Sequence, residues 1–260
     1  MGTLKISIIT PVYVADQERA DQLLRCIESV KNQTFSKENF EHVIVNDGSS
    51  FPLEIPNYPW IKVVNQPNQN RITAYNTGFK SAQGEIFCLL DSDDEYEETY
   101  AEEVVGFFKK YPKFKLFNFG CTYMHTDGVR TQRGPFKPKK KKIGHKVFGG
   151  GNIVNGTFVY HRTIWESLGA FPEGIKTIEV PWYKNTELFW TSPYDFSSYA
   201  QVEFPEIQPH FQVKHPDHPK GLPKELGNPW GNDFYLFYKY TRRYHSKPID
   251  KFLYIVHTRV

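Results

Sequence analysis

Apolar and polar residues in the first half of the chain alternate between two rhythms. Lys5–Thr10 is a β-branched run that stops at Pro11; His42–Val45, Ile61–Val64 and Ile86–Leu90 are further apolar runs of strand length. Between them, Gln17–Asn32 places Leu23, Leu24, Ile27 and Val30 at helical spacing, and Thr73–Ala82 reads as a helix closed by Gly84. Glu97–Lys110 predicts a third helix that buries Val104, Val105 and Phe108; its first turn is acidic, its last turn is basic, and Pro112 stops it. Strands apolar on both faces, alternating with helices, imply a mostly parallel sheet covered on both sides. Ligands collect at the carboxyl ends of such strands. Here those ends carry Pro11 and Tyr13, then Asp47, then Asp91, Asp93 and Asp94.

The alternation weakens after Leu116. Gly149-Gly150-Gly151 precedes a strand at Thr157–His161, and residues 172–232 hold many prolines and little periodicity. Long irregular segments in compact proteins are more often functional than idle. Asp233–Arg243 returns to helical spacing, and Phe252–His257 is a last apolar strand or extended tail. We therefore expect one globule built of two halves, 1–115 and 116–260.

Composition narrows the class. The 260 residues hold 32 Lys+Arg against 29 Asp+Glu, and the net charge of +3 is too small for a nucleic-acid binder. A mean hydropathy of −0.55, without an apolar run near ~18 residues, argues against a spanning helix. The N-terminus has no basic, long apolar and small-residue succession, so no signal peptide is expected. Cys26, Cys88 and Cys121 are scattered beside apolar residues; they read as reduced core thiols of a cytoplasmic protein. The 21 Phe, 16 Tyr and five Trp read first as core packing and second as stacking surface for a ring-shaped ligand.

Leu89-Leu90-Asp91-Ser92-Asp93-Asp94 is the strongest chemical signal. Three carboxylates leaving a buried strand repel one another. A hard divalent cation such as Mg2+ or Mn2+ relieves that repulsion and would hold two phosphate oxygens of a ligand. An EF-hand counted from Asp91 fails, because its sixth position needs Gly and holds Tyr96. A phosphatase of the haloacid dehalogenase type is disfavoured, because its Asp-x-Asp sits on the first strand.

Four motifs then fall in order: Ile6-Ser7-Ile8-Ile9-Thr10-Pro11-Val12-Tyr13, Arg25-Cys26-Ile27-Glu28-Ser29-Val30-Lys31-Asn32-Gln33-Thr34-Phe35, Val45-Asn46-Asp47-Gly48-Ser49-Ser50, and Leu90-Asp91-Ser92-Asp93-Asp94. Together they resemble family 2 glycosyltransferases of the inverting GT-A fold, over residues 5–110. The resemblance implies a UDP-, GDP- or dTDP-sugar donor and a glycan or other hydroxyl acceptor. It makes 1–115 the nucleotide-sugar-binding half and 116–260 the acceptor-binding half, and it places Pro11 and Tyr13 in the base pocket, Asp47 on the base edge, Asp91 near the ribose, Ser92 among the donor-binding residues, and Asp93 and Asp94 at the metal and diphosphate. Two acids are usual where this chain has Asn46-Asp47. An Arg is usual where it has Tyr75, and Arg71 either replaces that cation or makes a surface ion pair.

An inverting transfer needs a carboxylate to take the acceptor proton. The family resemblance favours Asp233, in Gly231-Asn232-Asp233 ahead of an aromatic-rich helix, with Glu187 as runner-up. A helix-capping role for Asp233 is compatible. His257, in a Tyr-x-x-His-x-Arg tail, is the remaining candidate metal ligand. Lys137–Lys142 admits three readings: a solvated loop, weak peripheral contact with an anionic membrane surface, or a lid over diphosphate. A non-catalytic nucleotide-sugar-binding module is the alternative to an enzyme, motivated by Asn46, Tyr75 and Asn232. A nucleotidyltransferase would want a Gly-rich loop where Pro11-Val12-Tyr13-Val14 stands.

Overall fold

The structure, a computed structural model, describes residues 4–69, 71–135, 154–168, 187–189, 212–214 and 246–258. In chain order the main elements are β1 (Ile6–Val12), α1 (Gln17–Lys31), β2 (Phe40–Asp47), β3 (Ile61–Gln66), α2 (Arg71–Ser81) and β4 (Ile86–Leu89). Then come β5 (Glu95–Tyr96), α3 (Tyr100–Lys110), β6 (Leu116–Met124), β7 (Arg130–Arg133), β8 (Phe158–His161) and α4 (Arg162–Leu168). β9 (Glu187–Phe189), β10 (Gln212–Lys214) and β11 (Lys247–His257) complete the order.

Chain contacts define two compact units. One holds Met1–Lys137, Val154–Ala170 and Lys239–Val260; the other holds Pro138–Ile153 and Phe171–Tyr238. The described part of the second unit is the antiparallel pair β9–β10, in which Lys214 registers with Glu187. The first unit is built on a nine-stranded sheet ordered β3-β2-β1-β4-β8-β6-β11-β5, with β7 paired to β6. The four strands from β3 to β4 are parallel; β1, β2 and β4 are apolar and buried nearly throughout, as strands covered on both faces are, while β3, at the sheet's edge, is partly exposed. β8 then inserts antiparallel between β4 and β6. The sheet is therefore mixed, with β3, β2, β1, β4, β6 and β11 running one way.

A boundary at 115 would cut this sheet. β4 is buried along its whole length, so its second edge needs a partner, and β8, from beyond residue 115, supplies it. β6 was not legible as a strand: Leu116–Met124 is buried through its first seven residues, and Gly120 and Asn118 break its apolar reading. Gly120 is required there, since a Cβ would meet the carbonyl of Arg133 on β7 at 2.6 Å.

Helices cover both faces of the sheet. Ile6 and Ile8 of β1 pack with Cys26 and Val30 of α1 and with Ala101, Val104, Val105 and Phe108 of α3. Ile9, pointing the other way, meets α2, where a Cβ on Gly78 would lie 2.3 Å from its methyl. The aromatics described here are mainly core: Phe79, Phe87, Tyr160 and Trp165 form one cluster, and Phe107, Phe108, Phe117 and Phe119 another. The three cysteines are free and buried, and burial pushes the Cys88 thiol up to about 12, which keeps it protonated. Among the described residues no helix is long and apolar enough to cross a membrane.

The Gln33 motif proves architectural. Gln33 is buried; its Nε2 donates to the carbonyls of Ser29 (3.0 Å) and Glu97 (2.9 Å), and its Oε1 accepts from Ala101 N–H (2.9 Å). It thus serves as the missing cap of α3, whose Thr99 makes no side-chain cap bond. The acids of the 95–103 region divide accordingly: Glu102 and Glu103 complement the dipole of α3, while Glu95 lies outside the helix.

His42 sits inside β2, fully buried, with Nε2 2.8 Å from the Thr10 hydroxyl. Burial lowers its pKa from the ordinary 6.5 to about 3. Below pH 6.5 the unfolded chain therefore binds a proton that the folded chain refuses. The stabilisation is complete above that pH and is lost as pH falls toward 3. Between pH 7 and 5 this one group should cost about 2 kcal/mol. Urea unfolding at both pH values should show a smaller drop by that amount in His42→Gln; parallel losses in the two proteins would refute the assignment.

Candidate active site at the rim of the sheet

β2, β1 and β4 are neighbours, so their carboxyl ends form one rim. Pro11 and Val12 finish β1 and Tyr13 follows, more than a third exposed, donating to Ser50 Oγ at 3.2 Å. Asp47 is the last residue of β2. Asp91 to Asp94 leave β4, and Leu90 N–H still bonds Ile9 O at 3.0 Å, which anchors the acidic run to β1. The sequence-derived grouping of Tyr13, Asp47 and Asp91 to Asp94 at adjacent strand ends is thus what the topology delivers.

Of the departures from the family pattern, Asn46 is explained by the turn after β2 and Tyr75 by the acidic run, while Asn232 lies outside the described residues. Asn46 Oδ1 accepts from Ser49 N–H (2.9 Å) and Ser49 Oγ (2.6 Å), and its Nδ2 donates to Asn65 Oδ1 (2.9 Å). The position calls for both an acceptor and a donor, and an ionised carboxylate can only accept. Asp47 is 5% exposed; Gln66 Nε2 (2.6 Å) and Gln69 N–H (3.0 Å) both donate to its Oδ1. Tyr75 lies fully buried on α2 and donates to Asp91 Oδ1 at 2.6 Å. It fills the place of a cation with a neutral phenol. Arg71, at the start of α2, brings Nη1 within 3.8 Å of Asp91 Oδ2. That ion pair is made with the acidic run itself.

Within that run the carboxylates are unequal. Ser92 and Asp93 are half-buried, whereas Asp94 is 5% exposed. Asp94 Oδ2 accepts from Tyr254 Oη (2.8 Å) and Oδ1 from His257 N–H (3.1 Å). Burial, then the charges of Asp91 and Asp93, hold its carboxyl well above the usual carboxylate range. The His257 ring points to Glu95, with Nε2 2.6 Å from Oε1, and Arg25 Nε is 3.1 Å from the same oxygen. Arg25 Nη2 also donates to the Asp93 carbonyl at 2.9 Å. Glu95, Arg25 and Tyr254 were not singled out as site residues. Arg25 stands in a quoted motif, but its partners lie about 70 residues on, and no local spacing shows that.

Among the described residues no three His, Cys, Asp or Glu side chains cluster as a metal site. The donor set still fits a hard cation of the Mg2+ type, which takes one or two carboxylates and finds its other oxygens on substrate phosphate. Of the two acids proposed as general base, Glu187 belongs to β9, where its backbone registers with Lys214 of β10, and not to the start of a helix. Asp233 and the Lys137–Lys142 run lie outside the described residues.

A family model described as Glycosyl transferase family 2 matches residues 7–169, more than half of the chain. The chain belongs to glycosyl transferase family 2. Its relatives include the uncharacterized glycosyltransferase YibD of Escherichia coli, 34% identical over 110 residues, which are 40% of this chain and 30% of the relative. Another is the poly(ribitol-phosphate) beta-N-acetylglucosaminyltransferase TarP of Staphylococcus aureus, 30% identical over 113 residues, 41% of this chain and 33% of the relative. The match spans between 12% and 33% of the length of the curated relatives. Among solved structures, S. aureus TarS 1-349 in complex with UDP-GlcNAc aligns with a TM-score of 0.56 at 15% identity, covering 99% of this chain and 59% of that one. That likeness carries the fold, and the fold of this family 2 protein is GT-A, α/β with a mixed, largely parallel sheet.

Gly48 closes the β2 turn at a φ of +70°, and a Cβ there would stand 2.5 Å from Asn68 N. Gly48→Ala should cost about 1–3 kcal/mol of stability. It should also loosen Asp47, because Asn68 Nδ2 donates to the Asp47 carbonyl and Gln69 N–H to its carboxylate. Urea unfolding checks the loss; an unchanged protein would show that the turn tolerates a side chain.

Proposed function

We propose that this chain transfers a sugar from a nucleoside-diphosphate sugar to an acceptor hydroxyl, with inversion at the anomeric carbon and with dependence on Mn2+ or Mg2+. The observation that carries the reading is the shared rim: Tyr13, Asp47 and the acidic run stand on three adjacent parallel strand ends of a family 2 fold. The names of relatives add support, since TarP is a beta-N-acetylglucosaminyltransferase and TarS is seen with UDP-GlcNAc.

Tyr13 offers an exposed ring for a base, and Asp47 offers a carboxylate acceptor for base N–H groups. We assign Asp91 to the ribose hydroxyls, with Ser92 beside it as a donor-binding residue; the pairing of Asp91 with Arg71 sets a cation next to it. Asp93 is the carboxylate we assign to the cation, with the buried Asp94 carboxyl behind it, and His257 held beside Glu95 at the edge of that site. A bound cation would offset the charge that develops on the departing diphosphate. In the transfer itself, the acceptor oxygen forms a bond to the anomeric carbon as the bond from that carbon to the diphosphate oxygen breaks. The nucleoside diphosphate leaves with the electron pair, and the acceptor proton passes to the Asp233 carboxylate. The departures at Asn46 and Tyr75 find their account in the β2 turn and in Asp91, so they do not favour a binding module without turnover.

Two variants separate the roles. Asp93→Ala should lose Mn2+-dependent nucleotide binding in calorimetry, together with transfer. Asp233→Asn should bind nucleotide as the wild type does and release nucleoside diphosphate about 10²–10⁴-fold more slowly. Full turnover in Asp233→Asn would shift the general base to Glu187, and metal-independent binding in the wild type would remove the cation from the reading.

A further inference from the structure

We propose that Tyr254, on the last strand of the sheet, is a positioning residue for the donor site: its hydroxyl ties the backbone of Asp91 to the carboxylate of Asp94 and so sets the aim of Asp93 between them. This rests on the donor-site reading above. Tyr254 Oη donates to Asp94 Oδ2 at 2.8 Å and accepts from Asp91 N–H at 3.2 Å. Asp94 N–H in turn bonds the Asp91 carbonyl at 3.1 Å, which closes the run into a tight turn. One phenolic oxygen therefore grips both ends of that turn, and Ser92 and Asp93 are its middle. Arg25 holds the Asp93 carbonyl from the α1 side.

Three features of the fold exist at this tyrosine. First, β11 pairs in parallel with β6, and its register slips between Phe252, opposite Gly120, and Tyr254, opposite Cys121. Such a bulge re-aims a side chain, and here it falls at the residue before the acidic turn's anchor. Second, the ring occupies a slot cut for it: a Cβ on Gly156 would lie 1.8 Å from Tyr254 Cε2, and Tyr96 stands edge-on at 5.6 Å. Third, the neighbours of Tyr254 on β11 grip the same loop, with Leu253 O accepting from Glu97 N–H (3.0 Å) and His257 N–H donating to Asp94 (3.1 Å). A phenylalanine would fill the slot equally well, so packing alone does not call for the oxygen.

Tyr96 provides the control. It is buried in the same ring cluster, and its hydroxyl donates to a backbone carbonyl, Leu89 O, at 2.7 Å, without touching the acidic run. Tyr254→Phe and Tyr96→Phe each delete one buried hydroxyl, and should lower the thermal midpoint alike. Titration of UDP, GDP and dTDP in Mn2+ should show the nucleotide that wild type binds weakened about 10–100-fold by Tyr254→Phe, the range for a residue that orients a metal ligand. Tyr96→Phe should bind like wild type. Equal binding in Tyr254→Phe and wild type, or equal weakening in both variants, would overturn the inference and leave the donor site standing. A wild type that binds none of the three would overturn the donor site and this inference with it. Wild-type hydrogen exchange gives a reading free of mutation: Asp91 N–H, bonded to Tyr254, should exchange slowly without nucleotide, and fast exchange would refute the tie.

Discussion

Like charges crowded at the end of a buried strand are the constraint around which this structure is arranged. Asp91, Asp93 and Asp94 leave β4 together, and their mutual repulsion grows as water is excluded. Asp94 bears the greatest part of it: burial and its two neighbours hold its carboxyl well above the ordinary range. The fold answers with donors. Tyr75 and Arg71 from α2 reach Asp91, Arg25 from α1 reaches the Asp93 backbone, and β11 brings Tyr254 and His257 to Asp94. Three elements far apart in the chain converge on four residues.

That convergence gives the rim two layers. Ser92 and Asp93 are half-buried, while Asp94 is buried. The same division holds at β2, where Asn46 serves the turn and Asp47 keeps one oxygen engaged with Gln66 and Gln69. A site held by its own backbone and second neighbours is one that can be set before a ligand arrives, which limits the ordering cost of binding.

Glycine and aromatic placement follow from the same convergence. Gly156 and Gly120 admit rings of β11, Tyr254 and Phe252, where any Cβ would collide. Tyr96, Tyr100 and Tyr254 are all buried, yet only Tyr254 spends its hydroxyl on carboxylate chemistry among the bonds described; Tyr96 spends its own on a main-chain carbonyl.

Local pattern in the sequence determined β1 to β4, α1 to α3 and the strand-end position of Tyr13, Asp47 and the acidic run, because parallel strands and their covering helices write themselves in short-range periodicity. The motifs also determined the family. Tertiary structure alone decided that β6, β8 and β11 complete the same sheet, that Asp94 lies inward and Asp93 toward the surface, and that Arg25, Glu95 and Tyr254 belong to the rim. Tyr254 and Asp94 stand 160 residues apart. Only the pairing of β11 with β6 and β5 makes them neighbours, and a periodicity of two or 3.6 residues holds no record of a contact at that distance.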